Sequence, residues 1–591
     1  MNAKILTLIV VLFPLLLNAQ WSNDPSVNTP IMVGSDSYVQ PKVVIGPDGG
    51  SYISWFSEES GTHDFYVYLQ RLDVHGNKLW DEDGLLVSNH PTDSWTTDYG
   101  LAMDQAGNAV IVNRDQRTGL DNIYAWCISP EGNFIWGSNG VSLSDNTEED
   151  YSPEVLIDQE NNAVVMWEAF PLDTNLFIKT KFQKIGPDGT LLWDDVVIEN
   201  DSAHCWMPRM INTEDSCTLV IWVQTDRDTS HAVGNYHYMF PYMQKIDPDG
   251  NFVWPEPVQL NYAYDMPLFP FVPSLDTDGE GGAFVSWMGF PDFGEFYTCY
   301  VQYVTSDGSI HWAQNGINVT DSTQFLHTDP VVLALSDGEG VIVFWNESRP
   351  RSGTDVEVAV MGQRFSMDGE RIWTTQGKVI DGFYNELDTA SLLMDVKPVG
   401  NNEALVFYDH KFISMLGNDT IFTDYICAKR IDQDANPIWN NPSVISNNYG
   451  EVFYHDISGE SNDQWILAWC DNRNDPQHDF KMDIYAQNMG PEGWIGPLSY
   501  EDIAVTDREP IQLYPNPARD MLRVQFEMER ASTVEIALYD LMGKQAANAI
   551  EIYKGQGRHE VVLNTGNLSP GIYFVSFWTP DIYTCRRFVK N

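Results

Sequence analysis

The run Pro187-Asp-Gly-Thr-Leu-Leu-Trp193, a tight turn closing on a tryptophan, decides the fold because the chain keeps repeating it. Pro130-Glu-Gly-Asn-Phe-Ile-Trp136, Pro248-Asp-Gly-Asn-Phe-Val-Trp254, Ser306-Asp-Gly-Ser-Ile-His-Trp312 and Met367-Asp-Gly-Glu-Arg-Ile-Trp373 are close copies. His75-Gly-Asn-Lys-Leu-Trp80, Asp434-Ala-Asn-Pro-Ile-Trp439 and a shortened Pro491-Glu-Gly-Trp494 are looser ones. These tryptophans stand 56, 57, 61, 58, 61, 66 and 55 residues apart. A period of this size, filled with short strands, marks a propeller or solenoid, whose repeats bury their apolar faces only against each other.

Each repeat parses into four strands. In the third they are Glu154 to Asp158, Ala163 to Trp167, Phe177 to Ile185, and a fourth from Leu191 through Val196 to Ile198. The first two are joined by Asn- or Gly-rich turns such as Asp158 to Ala163, Asp104 to Ala109 and Ser336 to Val341. The last two are joined by the Asp-Gly turn, whose glycine supplies the backbone freedom a hairpin needs. Four antiparallel strands per repeat make one blade, so the reading is an all-β, eight-bladed β-propeller, or a seven-bladed one if a degenerate unit is an insertion. The eighth unit lacks a fourth strand after Trp494, and Pro30 to Val33 is an orphan strand before the first unit. That strand is expected to complete the last blade and remove an exposed edge. Tryptophans at one place per repeat, and Trp55, Trp167, Trp222, Trp287, Trp345 and Trp469 in the second strands, read as packing between blades rather than as a ligand platform.

The end of the chain is of another kind. It reads Leu513-Tyr-Pro-Asn-Pro-Ala-Arg-Asp520, then VEIALYDLMGK from Val534 to Lys544, then LSPGIYFVSF from Leu568 to Phe577, and finishes RRFVKN from Arg586 to Asn591. Val534, Ile536 and Leu538, and again Tyr573, Val575 and Phe577, alternate with other residues as half-buried antiparallel strands do. A small immunoglobulin-like β-sandwich is expected. These four ordered submotifs closely resemble the C-terminal sorting domain of type IX secretion system cargo, found in Bacteroidetes-type Gram-negative bacteria. The resemblance implies export across the outer membrane, removal of the tail, and release or anchoring at the cell surface. The secretion machinery is then the partner of residues 511–591.

The other end agrees on destination. Lys4 precedes an apolar run from Ile5 to Leu17, with small or polar residues to Ala19 and Gln20, as in a secretory signal peptide. That run is too short to span a bilayer permanently, and no transmembrane segment is expected later. The organisation is therefore a signal peptide over 1–20, a propeller over 21–498, a linker over 499–510 and the sorting domain over 511–591.

Charge narrows the partners. The chain has 33 Lys+Arg against 84 Asp+Glu. Nine basic and eight acidic side chains lie from residue 511 onward and only Lys4 in the leader, so residues 21–510 hold 23 basic and 76 acidic ones. Such a surface repels phosphate backbones and anionic head groups, which excludes nucleic acid as a partner class. Seven cysteines in an exported chain raise a disulfide framework. Cys127, Cys299 and Cys427 take equivalent places in different repeats and are expected too far apart to bridge. Cys205 and Cys217 form the one pair worth testing, and Cys585 lies in the tail. Mostly free, buried thiols are expected.

Three second strands end on an acid-x-Arg pair: Asp115-Gln-Arg117, Glu347-Ser-Arg349 and Asp471-Asn-Arg473. The last is followed by Asp483-Ile-Tyr-Ala-Gln487, and Gln recurs in third strands at Gln70, Gln183, Gln244, Gln302 and Gln363. The combination resembles repeats of secreted bacterial propeller-like proteins that are mostly uncharacterised. Copies in several blades read as structural ion pairs, since one active site needs only one. The Asp-Gly turn is similar to the Asp-box of sialidase-type propellers, but there the two residues are separated by one, and no triplet of substrate-binding arginines stands out here. There is no Gly-x-Ser-x-Gly, His-Glu-x-x-His, Gly-Lys phosphate loop or Cys-x-x-Cys. No catalytic or metal residues are assigned, and no cofactor. Calcium is the one candidate ion, from the acidity and from Asp276-x-Asp278-Gly-x-Gly281, which lacks the spaced ligands of a helix–loop–helix site and reads better as a strand turn.

Function is expected on the face carrying the long, dissimilar connections between second and third strands: Phe170 to Asn175, Gln224 to Tyr236, Met288 to Phe296, Asn346 to Thr354 and Tyr408 to Thr423. The fourth-to-first connections, such as Asp145 to Tyr151, open on the same face. A non-enzymatic module binding an extracellular glycan or protein is the preferred reading, with a polysaccharide hydrolase or lyase using carboxylates at the channel mouth as the alternative.

Overall fold

A computed structural model describes residues 21–497 and 511–591, apart from 60–61, 95–98, 195, 228–235, 264–265, 267–271, 291–295, 323, 351–355, 384–388, 401, 417–418, 476–480, 529–530, 541–544, 570 and 580–582. The expected signal peptide and linker, Lys544, and the middles of the connections after Gln224, Met288 and Asn346 lie outside the described residues. The chain divides into two compact units, Met1–Pro497 and Leu498–Asn591.

The first unit is a β-propeller of successive four-stranded antiparallel sheets. Its opening sheet runs Ser37–Ile45, Ser51–Glu59, Asp64–Leu72, Leu85–Leu86. The third runs Glu148–Ile157, Ala163–Pro171, Lys179–Ile185, Val196–Ile198. The sixth, with strands Leu326–Ala334, Val341–Pro350, Val356–Phe365 and Lys378–Gly382, touches the seventh through a single parallel pair, Val358 with Ala390. The seventh holds Thr389–Val399, Glu403–Leu416, Asp419–Ile431 and Ser443–Ser446. The last holds Val452–Ile457, Trp465–Asp471 and Asp483–Met489, and its fourth strand is Thr29–Met32 from the start of the chain, paired antiparallel with Thr29 opposite Ala486.

From Ser37–Ile45 to Thr389–Val399 successive first strands pack beside one another, His455 Nε2 lies 3.3 Å from Met394 O between the seventh and last units, and Ser37–Ile45 packs beside Val452–Ile457. The succession thus closes on itself. Bonds cross that seam from Tyr38 N to Met482 O (2.9 Å) and from Val43 N to Asp456 Oδ2 (2.8 Å). Second strands such as Val110–Val112, Val164–Met166 and Leu219–Val223 are buried on both faces, because each sheet is covered by a neighbour on either side.

Two strand readings are corrected. The first strand of the third unit begins at Glu148 rather than Glu154, because a β-bulge at Ser152 and Pro153 carries the pairing past a proline that looked like a strand boundary. The stretch Tyr408 to Thr423 is largely a long hairpin rather than a loop, with Phe412 opposite Thr423 and Ser414 opposite Ile421. Its β-branched and aromatic residues favour continued pairing.

In the second unit, Ile511–Tyr514, Met521–Met528 and Gly557–Asn564 form one antiparallel sheet. Gln545–Lys554, Ser532–Asp540, Gly571–Trp578 and Tyr583–Lys590 form another. Leu522, Val524 and Phe526 of the first share an apolar core with Val534, Ile536, Leu538, Val575 and Phe577 of the second.

Candidate functional site

Antiparallel order puts first-to-second and third-to-fourth turns at one end of every sheet, and the remaining connections at the other. The short-turn end is occupied by structural bonding. At the third-to-fourth turn, an aspartate accepts the amides two and four residues on: Asp73 from His75 and Asn77, Asp247 from Asp249 and Asn251, Asp432 from Asp434 and Asn436. The recurrent third-strand glutamine explains itself here. Buried Gln302 accepts from Tyr303 N (2.9 Å) and Trp312 N (3.2 Å) and donates to Ala313 O (2.8 Å), stapling its hairpin.

The repeat tryptophans are joints between units. Trp80 donates its indole N–H to Pro130 O (3.1 Å), Trp136 to Pro187 O (3.0 Å), Trp193 to Pro248 O (3.0 Å), Trp254 to Ser306 O (3.1 Å) and Trp312 to Met367 O (2.7 Å). Each ring lies against the turn glycine of the following unit; a methyl group would collide at Gly308 over Trp254 (2.8 Å) and would sit at ordinary contact at Gly132 over Trp80 (3.6 Å). Trp494 does not continue the series, packing against Gly490 of its own turn. Trp21 takes the vacant place: its indole donates to Val74 O (3.1 Å) and lies 2.6 Å from where a Cβ on Gly76 would be. Nothing in the turn motif pointed to Trp21, since it has no turn before it.

At the opposite end, the starts of first strands or the connections before them bond to the base of third strands, as Cys205 N to Ile178 O (2.9 Å), His327 N to Tyr297 O (3.0 Å) and Asp424 N to Gly450 O (3.1 Å). The acid-x-Arg pairs sit here. Arg117 chelates Asp115 and lies over Tyr124 (3.8 Å), Arg349 meets Glu347 (2.6 Å) and lies over Phe383 (3.9 Å), and Arg473 chelates Asp471 and lies over Tyr485 (3.7 Å). A carboxylate on one side and an aromatic face on the other fix each guanidinium as a brace. The seventh unit holds a fourth version that the sequence reading missed because Lys replaces Arg. In Asp409-His410-Lys411, Lys411 Nζ lies 2.8 Å from Asp409 Oδ2 and 2.5 Å from Asp424 Oδ2. Between the fifth and sixth units Thr298 Oγ1, His327 and Glu347 form a chain at 3.1 Å and 3.1 Å that looks like a nucleophile relay, yet all three are buried.

The inner strands form the third element of this end. Their pairing shifts at Gln40–Pro41, Ser152–Pro153, Met207–Pro208 and Asp329–Pro330, and the residue before each proline takes a left-handed φ of 49°, 50°, 50° and 52°. In the last two units the inner-strand pairing also shifts, at Met394 and Phe453, there without a proline or a left-handed residue. Left-handed non-glycine residues cost about 1–3 kcal/mol each, so the recurrence is a built feature of the inner rim.

The inner-strand carboxylates are engaged. Asp276 accepts Ala334 N (2.8 Å) and Asp456 accepts Val43 N (2.8 Å), each capping the free edge of the next inner strand. Glu168, reaching from a second strand, accepts Met207 N (2.6 Å), and burial raises its pKa. Glu154 pairs with Arg209 (2.5 Å) and Asp395 with Lys397 (2.7 Å). Burial pushes Asp276 up to about 6 despite its two amide donors. Asp278 accepts the amides of Glu280 and Gly282 and the Tyr303 hydroxyl, so Asp276–Gly281 is a strand turn with its carboxylates spent internally. Among the described residues no cluster of three or more His, Cys, Asp or Glu could hold a metal ion.

Cys205 and Cys217 are both free, which corrects the one disulfide considered. Cys205 pairs opposite Gln224 while Cys217 lies in the turn at the far end of that hairpin, beyond the rungs from Arg209 to Asn212. Cys127, Cys299, Cys427 and Cys470 are free and buried.

These features define a β-propeller with a short-turn end closed by repeated staples and a variable, acid-rich connection end, followed by a separate β domain. Residues 512–591 match the family described as the secretion system C-terminal sorting domain. The chain is therefore type IX secretion cargo, exported to the cell surface or the extracellular space. No helix among the described residues is long and apolar enough to cross a membrane. No curated protein matches the chain. Several solved structures are similar at low identity. One is an ulvan lyase of a new polysaccharide lyase family, solved with a glucuronate–rhamnose 3-sulfate unit (11% identity, 82% of this chain and 99% of that one, TM-score 0.41). Another is the β-propeller domain of the trilobed protease from Pyrococcus furiosus (10% identity, 70% and 99%, TM-score 0.36). A third is the endo-arabinase from Bacteroides thetaiotaomicron (13% identity, 50% and 100%, TM-score 0.27). Likenesses this distant assign no activity.

Proposed function

We propose that the chain is a non-enzymatic binding module for an extracellular glycan, presented on the connection end of an eight-bladed propeller over residues 21–498. In this reading a signal peptide over 1–20 is removed near Ala19 or Gln20. Residues 499–510 are a linker, and 511–591 form an immunoglobulin-like tail that the outer-membrane machinery of a Bacteroidetes-type bacterium reads. The observation that carries the binding reading is the placement of three of the four exposed large aromatics among the described propeller residues, the fourth, Phe252, lying in a third-to-fourth turn. Tyr262 (53% exposed), Phe296 (51%) and Tyr449 (58%) are all on second-to-third or fourth-to-first connections. Aromatic rings held in water offer faces to the apolar side of a sugar ring, and the surrounding carboxylates accept its hydroxyls. The alternative, polysaccharide cleavage by inner-rim carboxylates, is disfavoured because those carboxylates already accept backbone amides or pair with Arg209 and Lys397.

A polysaccharide array run together with turnover assays on the secreted protein tests this. Binding should weaken about tenfold on Tyr262→Ala or Tyr449→Ala, about 1.4 kcal/mol. Product release abolished by one carboxylate substitution would replace the binding reading with the enzymatic one. Retention only of a protein ligand would move the partner class from glycan to protein. Deleting residues 511–591 should leave the propeller folded but stop its export, and normal surface levels of the truncated chain would contradict the role given to the tail.

A further inference from the structure

We propose that Asp409 and Asp424 form a proton-operated latch on the segment Tyr449–Val452, which carries the exposed Tyr449. The consequence for ligand affinity rests on the glycan-binding reading, whereas the latch does not.

The geometry is that of two buried acids sharing one base. Asp424 holds the segment at two points, through its backbone N–H to Gly450 O (3.1 Å) and through Oδ2, which accepts Val452 N (2.8 Å). Asn472 Oδ1 accepts Glu451 N (2.8 Å) from the other side, so the segment is clasped between the seventh and last units. Lys411 bridges Asp424 Oδ2 and Asp409 Oδ2 at 2.5 and 2.8 Å. The remaining oxygen of each acid, Oδ1, is buried without any other partner. One ammonium neutralises one carboxylate, so the second acid is balanced only by a proton held within the pair.

Other charges nearby leave this need in place. His410 neighbours Asp409 on the strand, 3.5 Å from Ser391 Oγ. Lys429 from the third strand is engaged with Asp381 of the sixth unit (2.5 Å), and Arg473 of the last unit with Asp471 (2.5 Å). Glu451, on the clasped segment itself, adds negative charge. Burial and then Asp424 push Asp409 up to about 7, burial raises Asp424, and the two acids hold Lys411 above the usual lysine value.

The sign follows. Below about 7 the pair keeps its proton, the triad is neutral, and Asp424 is free to accept Val452 N. As pH rises through that value the proton leaves, two carboxylates face one ammonium, and their repulsion loosens the clasp. Tyr449 then loses its fixed position, and ligand affinity falls.

Hydrogen exchange at Gly450, Glu451 and Val452 in the full secreted protein, corrected for intrinsic rates, should lose about tenfold in protection between about pH 6 and pH 8. Asp409→Asn, which keeps a hydrogen-bond donor beside Asp424 at every pH, should flatten that change to within about twofold. Lys411→Met should move the step upward by about one pH unit or more, since without the ammonium the pair holds its proton more tightly. Wild-type exchange flat over this range, an Asp409→Asn profile like wild type, or a Lys411→Met step that stays in place would each overturn the latch. If the latch titrates and no polysaccharide binds, the latch stands and the glycan reading falls. If polysaccharide binds equally at both pH values while the latch titrates, the link from latch to affinity is overturned.

Discussion

Replacing Trp21 with alanine tests how the ring of tryptophan joints is completed. Trp21 is only 1% exposed, its backbone N–H donates to His75 O (2.9 Å) and its indole N–H to Val74 O (3.1 Å). Truncating a buried tryptophan costs about 3–5 kcal/mol. The lower end of that range, about 3 kcal/mol, is taken as the expected loss. Unfolding entropy near 2.1 cal/mol/K per residue over about 480 residues gives about 1 kcal/mol/K, so the propeller transition should fall by about 3 °C if it is cooperative. Calorimetry of the mature protein reads this, with Trp494→Ala as the comparison. Trp494 occupies the position that the repeat assigns to the joint, yet packs on Gly490 in its own turn. The expected order is therefore a larger loss for Trp21→Ala. A larger loss for Trp494→Ala, or no change for Trp21→Ala, would refute the assignment of Trp21 to the closing joint.

Gln302→Ala removes an acceptor for two amides and a donor to one carbonyl, and should cost about 3 kcal/mol in denaturant titration at about 1 kcal/mol per bond; a cost below about 1 kcal/mol would show that the glutamine staple is dispensable. Because burial raises Asp276 to about 6, its folded form binds the proton more tightly, so its contribution to stability falls from about pH 4 to about pH 6 and is flat above. Asp276→Asn should accordingly gain on wild type as pH rises through that window, and a constant difference would contradict the raised pKa. Cys127, which burial pushes up to about 12, should resist alkylation in the native protein and react on unfolding, and Cys205 and Cys217 should both titrate as thiols in denaturant without reductant.

The sequence by itself determined the repeat. A turn with glycine, then tryptophan, recurs because a hairpin needs a left-handed residue and a sheet needs a large ring to fill the gap to its neighbour. Both demands are local, so they leave a mark at every copy. The pairing of Pro30 to Val33 with the last unit was legible for the same reason, since the missing strand and the spare strand shared a pattern. The tail was legible as four ordered motifs. The contacts between units emerge only in the folded chain. Trp21 reaches its place through space, with no turn before it to mark it. Gln40, Ser152, Met207 and Asp329 adopt left-handed backbones before proline where the inner-strand pairing shifts, which no propensity of those residues foretells. The pairing of Asp409 with Asp424 depends on a hairpin register that sets Lys411 opposite Asp424. In a chain with 84 acidic residues composition marks none of them, and burial picks out this pair because charge without solvent must be matched by a partner or a proton.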